Sequence, residues 1–286
     1  MSIKSKRIGI IGQGYVGTAI KLGFKKDFTV NTFDKYIGKK STHNSIQDLV
    51  DSSDIIFLCL PTPMKKDGSC YLGILEDVLS EINLLNLISD KILIIKSTIP
   101  PGTTDIFLSK YQNLNIIYNP EFLREANFIE DFKNQKFIIL GGNEQMINVV
   151  EEIYSTVFKE IKIVRTKPKI AEMTKNMINT FLATKVSFAN EIKQLCDKTG
   201  INYNDVISLA QNDERIGVSH WEVPGPDSKL GFGGSCFPKD INSLSKFFKD
   251  LNVDCDVIDA AIKTNEKVRP EKDWEQLEGR AVINEE

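Results

Sequence analysis

Short apolar runs alternate with longer amphipathic stretches over residues 1–166 of the chain. Most of these runs are continuously apolar, as is typical of parallel strands that are covered on both faces. The stretches between them have the length and spacing of helices. This alternation predicts an α/β domain with a doubly wound parallel sheet of the Rossmann type. The predicted strands are residues 7–11, 28–33, 54–60, 92–96, 116–118, 136–140 and 161–164.

The alternation of strands and helices stops after residue 166. No glycine or proline interrupts the chain between Pro168 and Lys198, which predicts one long helix. Its apolar residues cover more than one face, so we expect it to pack against other helices and against a second copy in a homodimer. Residues 167–286 are therefore predicted to form a helical domain built on this long helix. We predict further helices at 204–211, 239–249 and 255–268, and no regular structure in the polar tail.

A glycine motif, Gly12-Gln13-Gly14-Tyr15-Val16-Gly17, directly follows the first predicted strand and opens a helical pattern. The glycines permit a tight turn and let the backbone approach a pyrophosphate, which then lies on the helix N-terminus. The second predicted strand ends at Asp34, where a carboxylate would accept hydrogen bonds from an adenosine ribose. A turn residue is the alternative interpretation of Asp34. Together these features predict NAD binding, with NAD preferred over NADP because a 2′-phosphate would meet the Asp34 charge.

Polar side chains also stand at the ends of later predicted strands. Thr62 follows the third strand, and Ser97 and Thr98 follow the fourth. Because ligands bind at the carboxyl ends of strands in such sheets, we expect these residues at the crevice, with helix capping as the alternative for Ser97 and Thr98. Glu121 and Glu125 come after the fifth strand, and on a helix they would share a face. That face is either near the crevice or simply solvated.

A glycine-rich loop, residues 230–240, delivers Cys236 to the predicted start of a helix. Pro238 suits a first helical turn, so Cys236 would lie near unpaired N–H groups and the positive end of a helix dipole. Both features favour thiolate over thiol, although a lone cysteine is more often a small buried hydrophobe. On the long helix, Lys175 and Asn179 share a face with Glu172. These three residues form either a functional cluster or an exposed edge of the helix.

Composition narrows the classes of partner. The net charge of −3, from 36 basic and 39 acidic residues, offers no basic surface for nucleic acid or an anionic membrane. No apolar run approaches the length of a membrane span. The five cysteines include no CxxC pair, so we predict no metal site and a reducing, cytoplasmic location. The expected partners are small molecules.

Six motifs, in this order along almost the whole chain, resemble those of the UDP-glucose and GDP-mannose dehydrogenase family. The resemblance implies an NAD-dependent enzyme that oxidises the C6 alcohol of a nucleotide sugar to a carboxylate, with UDP-glucose as the favoured substrate. A UDP-N-acetylhexosamine or GDP-mannose substrate, a reaction that stops at the aldehyde, and a non-catalytic nucleotide-binding protein are the alternatives. The motifs are Gly12 to Gly17, Pro61-Thr62-Pro63, Lys96 to Thr104, Asn119 to Glu125, Lys175 with Asn179, and Gly231 to Asp240.

The resemblance also implies catalytic roles. A hydride does not easily leave a bare aldehyde, but a thiolate adds to it and gives a thiohemiacetal that can be oxidised to a thioester. Cys236 matches the nucleophile for this step. Lys175 and Asn179 match groups that stabilise the oxyanion, and Asp240 would orient the lysine or a water. Glu121 matches the base that serves in thioester hydrolysis.

Other matching positions are implied to bind cofactor or substrate. Thr98 and Glu125 would hold a water or the nicotinamide side of the cofactor, and Arg215 would reach the nucleotide sugar of a partner subunit. The implied NAD-binding positions are Gly12, Gly14, Tyr15, Val16, Asp34, Lys39, Thr62, Ser97 and Glu125. The implied substrate-binding positions are Phe122, Leu123, Arg124, Lys175, Asn179, Arg215, Phe232 and Gly233.

The chain departs from the family pattern in three places. Ala126 replaces a glycine that is common at the end of its motif. The loop 219–229 does not resemble the segment that packs the nucleotide base in the family. The family also carries a C-terminal nucleotide-binding domain, and we expect this chain to be a short form that lacks it.

Overall fold

A seven-stranded sheet lies at the centre of the first part of the chain. The computed structural model describes residues 3–36, 41–85 and 91–284. All seven predicted strands are found, with ends that differ from the prediction by about two residues at most. They are β1 Arg7–Ile11, β2 Thr29–Phe33, β3 Ile55–Leu58, β4 Ile92–Ile95, β5 Ile116–Tyr118, β6 Phe137–Gly141 and β7 Lys162–Thr166.

The strands are hydrogen-bonded in the order β2-β1-β3-β4-β5-β6-β7. Neighbouring strands are parallel except β5 and β6, which meet antiparallel at the pair Tyr118 and Gly141. The Rossmann-type α/β prediction is thus confirmed, with one antiparallel junction that it did not include. Strand direction at this point depends on the path of the connection, and hydrophobic pattern carries no information about it.

The order of the strands reverses at β1, which lies between β2 and β3. The carboxyl ends of β1 and β3 therefore form the topological switch point, where ligands bind in open α/β sheets. Within the described residues, six α-helices accompany this sheet. They are α1 Tyr15–Phe24, α2 Ile46–Asp51, α3 Gly73–Leu84, α4 Thr103–Lys110, α5 Phe128–Lys133 and α6 Glu144–Val157.

Both faces of the sheet are covered. In β4, Leu93 and Ile95 belong to one apolar cluster, whereas Ile92 and Ile94 belong to the other. Side chains of a strand alternate between faces, so the continuous apolar runs of the sequence reflect two cores, one on each side. Polar side chains of the central strands are consequently found at strand ends.

The chain divides into two compact units. The first comprises Met1–Thr62 and Leu72–Lys175, and the second comprises Pro63–Tyr71 and Asn176–Glu286. This division follows Lys175, nine residues after the limit at residue 166 that the strand pattern predicts, and the segment Pro63–Tyr71 belongs to the second unit rather than the first. The long helix predicted from Pro168 is present as α7 Pro168–Thr199, followed by α8 Tyr203–Ala210, α9 Phe237–Asp250 and α10 Asp256–Val268. No helix in the described ranges is both long enough and apolar enough to cross a membrane.

The C-terminal tail has more structure than the prediction allowed. A 3₁₀ helix covers Asp273–Gln276, and the side chain of Trp274 is buried. Further along the tail, residues 281 and 283 pair with Met64. Met64 N donates to Ala281 O at 2.8 Å, and Ile283 N donates to Met64 O at 2.9 Å. The tail is held by one tryptophan and by a pairing with residues far away in sequence, neither of which produces a periodic pattern.

The alternative that Glu172, Lys175 and Asn179 form an exposed edge is wrong, because all three residues are buried. Glu172 lies near the start of α7. The residue is fully buried, and its two carboxylate oxygens accept hydrogen bonds from Gly102 N at 2.5 Å and Thr104 N at 2.8 Å. These N–H groups are at the N-terminus of α4, where a helix leaves donors without internal partners. Burial raises the pKa of Glu172, and the hydrogen bonds oppose that rise only in part.

We predict that Glu172→Ala lowers the free energy of unfolding by about 2 kcal/mol, because two N–H groups at the start of α4 lose their acceptor. Chemical denaturation measured by circular dichroism gives this value. Asp105→Ala, which removes an exposed carboxylate in the same turn, is the control and should cost less than about 0.5 kcal/mol. Equal effects of the two substitutions would show that Glu172 does not cap the helix.

Candidate active site

The glycine motif forms the turn between β1 and α1. Gly12 has a φ of +95°, and a Cβ there would overlap Cys59 O at the end of β3. A Cβ at Gly17 would overlap Gly12 O, so this glycine permits close packing of helix against turn. A Cβ at Gly14 would meet no described atom within 4 Å beyond its chain neighbours. Glycine is thus favoured at these three positions for different physical reasons. Among them, only the open space at Gly14 points to a ligand.

The first turn of α1 suits a phosphate. Gly14 is the N-cap and has no side chain to bond the first N–H groups of the helix. These groups, which include those of Tyr15 and Val16, carry the positive end of the helix dipole. The residues present therefore fit the pyrophosphate of a dinucleotide, as the sequence predicts.

Asp34 follows β2 and lies beside the glycine turn. Its carboxylate accepts hydrogen bonds from Gln13 N at 2.6 Å and Tyr36 N at 2.8 Å. The second bond is the local turn contact of the alternative interpretation, whereas the first fastens the carboxylate to the phosphate-binding turn. A contact with the ribose stays a prediction. Lys39, the neighbouring predicted cofactor contact, lies outside the described residues.

Thr62, Ser97 and Thr98 are brought together where β3 and β4 end. Thr62 Oγ1 donates to Thr98 O at 2.8 Å, and Ser97 Oγ donates to Leu60 O at 2.6 Å. The two hydroxyls thus tie the exits of neighbouring strands to each other. The helix-cap alternative does not apply to Ser97 or Thr98, because α4 begins only at Thr103.

Glu121 lies just after β5 in a segment without helical structure. Its carboxylate accepts a hydrogen bond from Leu123 N at 2.6 Å, and its other oxygen is 3.3 Å from Lys175 Nζ. Both side chains of this ion pair are buried, at 9% and 3% exposure. Glu125 is exposed and begins a 3₁₀ helix, so it does not share a helical face with Glu121.

Two buried lysines make further contacts around Glu121 in the first unit. The Lys175 ammonium lies 5.1 Å from the centroid of the Phe122 ring, a cation–π distance. Lys96 Nζ, which is also buried, donates to Asn119 Oδ1 at 2.9 Å and to Pro120 O at 3.3 Å. Burial lowers the pKa of Lys96 to about 8, although the charges of Cys59 and Glu121 oppose this shift.

A buried charge cluster occupies the first turn of α9 in the second unit. Asp240 is 2% exposed and accepts hydrogen bonds from Asn179 Nδ2 and Lys239 Nζ, each at 2.5 Å. Burial alone would lower the pKa of Lys239, but the charge of Asp240, electrostatic interactions with Cys236 and Cys70, and the hydrogen bond to Asp240 outweigh burial and raise that pKa. Lys239 therefore stays a cation beside Asp240.

Cys236 is the N-cap of α9, with Pro238 in the first turn, as predicted. Its thiol is half-buried rather than enclosed in the core, and Ser235 Oγ lies 3.8 Å from its sulfur. An N-terminal helix position and a neighbouring buried cation both favour a thiolate. The buried-hydrophobe alternative does not fit this environment.

Two cations that the sequence analysis did not single out are the buried Lys96 and Lys239, whose side chain is 11% exposed. Lys96 stands next to Ser97 at the end of a buried strand, and Lys239 is three residues after Cys236 on a helix. Two sequence features could have identified these lysines as site residues: a lysine that ends an apolar run, and a lysine three residues after a candidate nucleophile on a helix. A lysine at such a position is drawn toward the interior, and a buried lysine needs a partner.

The remaining predicted substrate contacts are already engaged within the chain. Arg124 forms a bidentate pair with Asp131, and the exposed Arg215 pairs with Asp213. Phe232 packs in the core beside Ile241. Leu123 packs at the edge of the core of the first unit, and Gly233 lies against Arg269. Substrate binding by these residues stays a prediction.

Two family models match the chain in sequence order. The NAD binding domain of the UDP-glucose/GDP-mannose dehydrogenase family matches residues 35–158, and its central domain matches residues 169–267. The chain belongs to this family. The match to the NAD binding domain covers β3 to β6 of the sheet, and the match to the central domain contains Asn179, Cys236 and Asp240.

Relatives and solved structures agree with the family. The UDP-glucose 6-dehydrogenase of Rickettsia typhi is 35% identical over 223 residues, which is 76% of this chain and 50% of that protein. The chain thus spans about half the length of the curated relatives it matches. A UDP-glucose dehydrogenase from Pyrobaculum islandicum has a TM-score of 0.82 at 27% identity, covering 92% of this chain and 68% of that one. A GDP-mannose dehydrogenase from Pseudomonas aeruginosa has a TM-score of 0.67 at 27% identity, covering 92% and 69%.

We predict that Gly14→Ala weakens NAD binding at least about tenfold, because a methyl group would occupy the space in which the pyrophosphate approaches α1. Isothermal titration calorimetry measures this change. The unfolding free energy should change by less than about 0.5 kcal/mol, since the added Cβ meets no neighbour.

Gly17→Ala is the matched control for that substitution. Its Cβ would overlap Gly12 O, so it should destabilise the fold by about 1–3 kcal/mol. Unchanged NAD affinity in Gly14→Ala would exclude the glycine turn as the pyrophosphate site.

Proposed function

We propose that this protein oxidises the C6 alcohol of a nucleotide sugar to a carboxylate in two NAD-dependent steps, and that UDP-glucose is its substrate. The observation that carries the proposal is the half-buried Cys236 thiol at the N-terminus of α9, with the largely buried Lys239 and the buried Asp240 in the same turn. The naming of relatives as UDP-glucose 6-dehydrogenases supports the choice of sugar. The likeness to a GDP-mannose dehydrogenase keeps that substrate as the alternative.

The proposed chemistry balances over three steps. The alcohol first loses a hydride to NAD⁺ and a proton, which gives the aldehyde and NADH. The Cys236 thiol then gives up its proton, and its sulfur adds to the aldehyde carbon, so that the carbonyl oxygen becomes an alkoxide. Loss of a hydride from this carbon to a second NAD⁺ re-forms the carbonyl and gives a thioester and a second NADH. Water cleaves the C–S bond of this thioester, and the products are the carboxylate, a proton and the regenerated thiol. Bound NAD supplies the hydride acceptor for both oxidations.

We propose that Lys175 and Asn179 stabilise the oxygen that carries negative charge in each oxidation. Their burial supports this role, because a preorganised cation or amide acts most strongly where water is excluded. Asp240 then serves as a positioning residue, since it accepts the Asn179 amide at 2.5 Å.

Glu121 is proposed as the base that activates the hydrolytic water. Its carboxylate is fastened by Leu123 N and paired with Lys175, which supports a fixed orientation. Thr98 and Glu125 are proposed to hold this water or the nicotinamide. The proposal also includes a cytoplasmic location, supported by the five cysteines, all in the described ranges and all present as thiols.

The stoichiometry of NADH tests the reaction class. Wild-type enzyme should release two NADH per UDP-glucose consumed. Cys236→Ser should stall after the first oxidation, with a carboxylate-forming rate at least about a hundredfold lower, because an alkoxide is a poorer nucleophile and leaving group than a thiolate. Coupled absorbance and product analysis by mass spectrometry measure both quantities for UDP-glucose and for GDP-mannose.

Cys255→Ser is the matched control, because Cys255 is also a helix N-cap, at the start of α10. It should retain the wild-type stoichiometry. One NADH per sugar with free aldehyde, and an unimpaired Cys236→Ser, would replace the proposal with a two-electron dehydrogenase. Binding of NAD without oxidation of any nucleotide sugar would favour the non-catalytic alternative.

We further propose that α7 mediates homodimerisation. It exposes large apolar side chains at Met177, Phe181, Phe188 and Leu195, with exposures between 52% and 63%. These positions are spaced by four, seven and seven residues, so they form one stripe along the helix. An apolar stripe of this length on a water-exposed helix is typical of a helix that packs on a partner, and a second copy of α7 offers the same stripe.

We predict that the double substitution Phe181→Glu and Phe188→Glu converts a dimer into a monomer, because it would bury four carboxylates, two from each copy, across the stripe. Sedimentation velocity at micromolar concentration measures the change. Leu209→Glu, at a residue 74% exposed on α8, is the control and should remain dimeric. A monomeric wild type would refute this interface.

A further inference from the structure

The segment from Leu230 to Cys236 has no regular secondary structure, although it carries the candidate nucleophile. Gly231 and Gly234 have φ values of +68° and +72°, in the left-handed region that glycine adopts without strain. Glycines permit this path, but they do not select it over others. Backbone N–H and C=O groups that are buried here must also find partners outside the segment.

Asn265 on α10 provides two of these partners. Its Oδ1 accepts a hydrogen bond from Phe232 N at 2.7 Å, and its Nδ2 donates to Phe232 O at 3.0 Å. The side-chain amide therefore satisfies both backbone groups of one residue, as a neighbouring β-strand would. Asn265 is 2% exposed, so these bonds have no competition from solvent.

Asn190 and Arg269 hold the flanking glycines. Asn190 Oδ1 on α7 accepts a hydrogen bond from Gly231 N at 3.2 Å. The guanidinium of Arg269 lies directly against Gly233, where any Cβ would overlap it. Arg269 is itself held by Asp273 and Asp227, each at 2.7 Å, and is almost fully buried.

We infer that Asn265 and Arg269 are positioning residues that set the path of the loop 230–236 and thereby the placement of Cys236 at the start of α9. The inference rests on the proposed function, in which Cys236 is the nucleophile. Neither residue belongs to the loop or to α9. Each acts through the backbone of the loop, and the glycines at 231 and 233 are required because Asn265 and Arg269 approach so closely.

The reactivity of the Cys236 thiol toward iodoacetamide tests this inference without any substrate. The rate at about pH 7 divided by the rate at about pH 9.5 reports the fraction of thiolate, because changes in access affect both rates alike. Peptide mass spectrometry follows Cys236 separately from the other cysteines. In Asn265→Ala, a displaced sulfur should leave the N-terminus of α9, and the ratio should fall at least about threefold.

Thr264→Ala is the matched control. Thr264 is the preceding residue of α10 and is also buried, but its hydroxyl donates to Glu191 Oε1 at 2.6 Å, on α7. It should keep the wild-type ratio. Arg269→Lys is the second variant, because it retains a cation for Asp273 and Asp227 and so favours folding. It cannot lie flat against Gly233, and its ratio should also fall.

Steady-state kinetics separate failure of this inference from failure of the proposed function. If wild type oxidises a nucleotide sugar while both variants fold and keep the wild-type ratio and carboxylate-forming rate, the positioning role is wrong. If wild type oxidises no nucleotide sugar but the ratio falls in both variants, the positioning role stands and the proposed function fails. A fall of the same size in Thr264→Ala would show a general effect of loosening α10 and would also overturn the inference.

Discussion

Burial of both sheet faces is the constraint on which the first unit depends. It restricts the central strands to apolar residues, so polar chemistry is displaced to the carboxyl ends of the strands. Gly12, Thr62, Ser97 and Glu121 each follow the last residue of such a strand or stand within a few residues of it. The same packing that stabilises the sheet therefore places these candidate groups along the carboxyl edge of the parallel strands.

The buried charged groups described above have hydrogen-bond or ion-pair partners, because a charge without a partner in the interior would cost several kcal/mol. Glu172 has a structural task, since its carboxylate accepts the first N–H groups of α4. The Glu121–Lys175 pair satisfies no helix end. Such pairs are weak contributors to stability, so the position of this pair just after the end of β5 favours a chemical role.

The sequence was sufficient for the elements and for the motifs of the candidate site. Short apolar runs, most of them continuous, located all seven strands, and the absence of glycine and proline located α7. It was insufficient where a partner is remote in the chain. The antiparallel β5–β6 junction, the pairing of Met64 with the C-terminal tail, and the contacts of Asn265 with Phe232 leave no periodic pattern. The sequence also did not show that Glu121 and Glu125 lie on no common helical face, because the backbone after β5 is irregular and such a path leaves no pattern.

Mass spectrometry of enzyme quenched during turnover tests the covalent role of Cys236 most directly. In Glu121→Gln, the water that cleaves the thioester should lose its base, so the acyl-enzyme should accumulate in the presence of UDP-glucose and NAD⁺. We expect a UDP-glucuronyl adduct on the peptide that contains Cys236, close to one per active subunit, and a smaller amount in wild type. Carboxylate formation with no adduct on Cys236 in either protein would contradict the thioester mechanism.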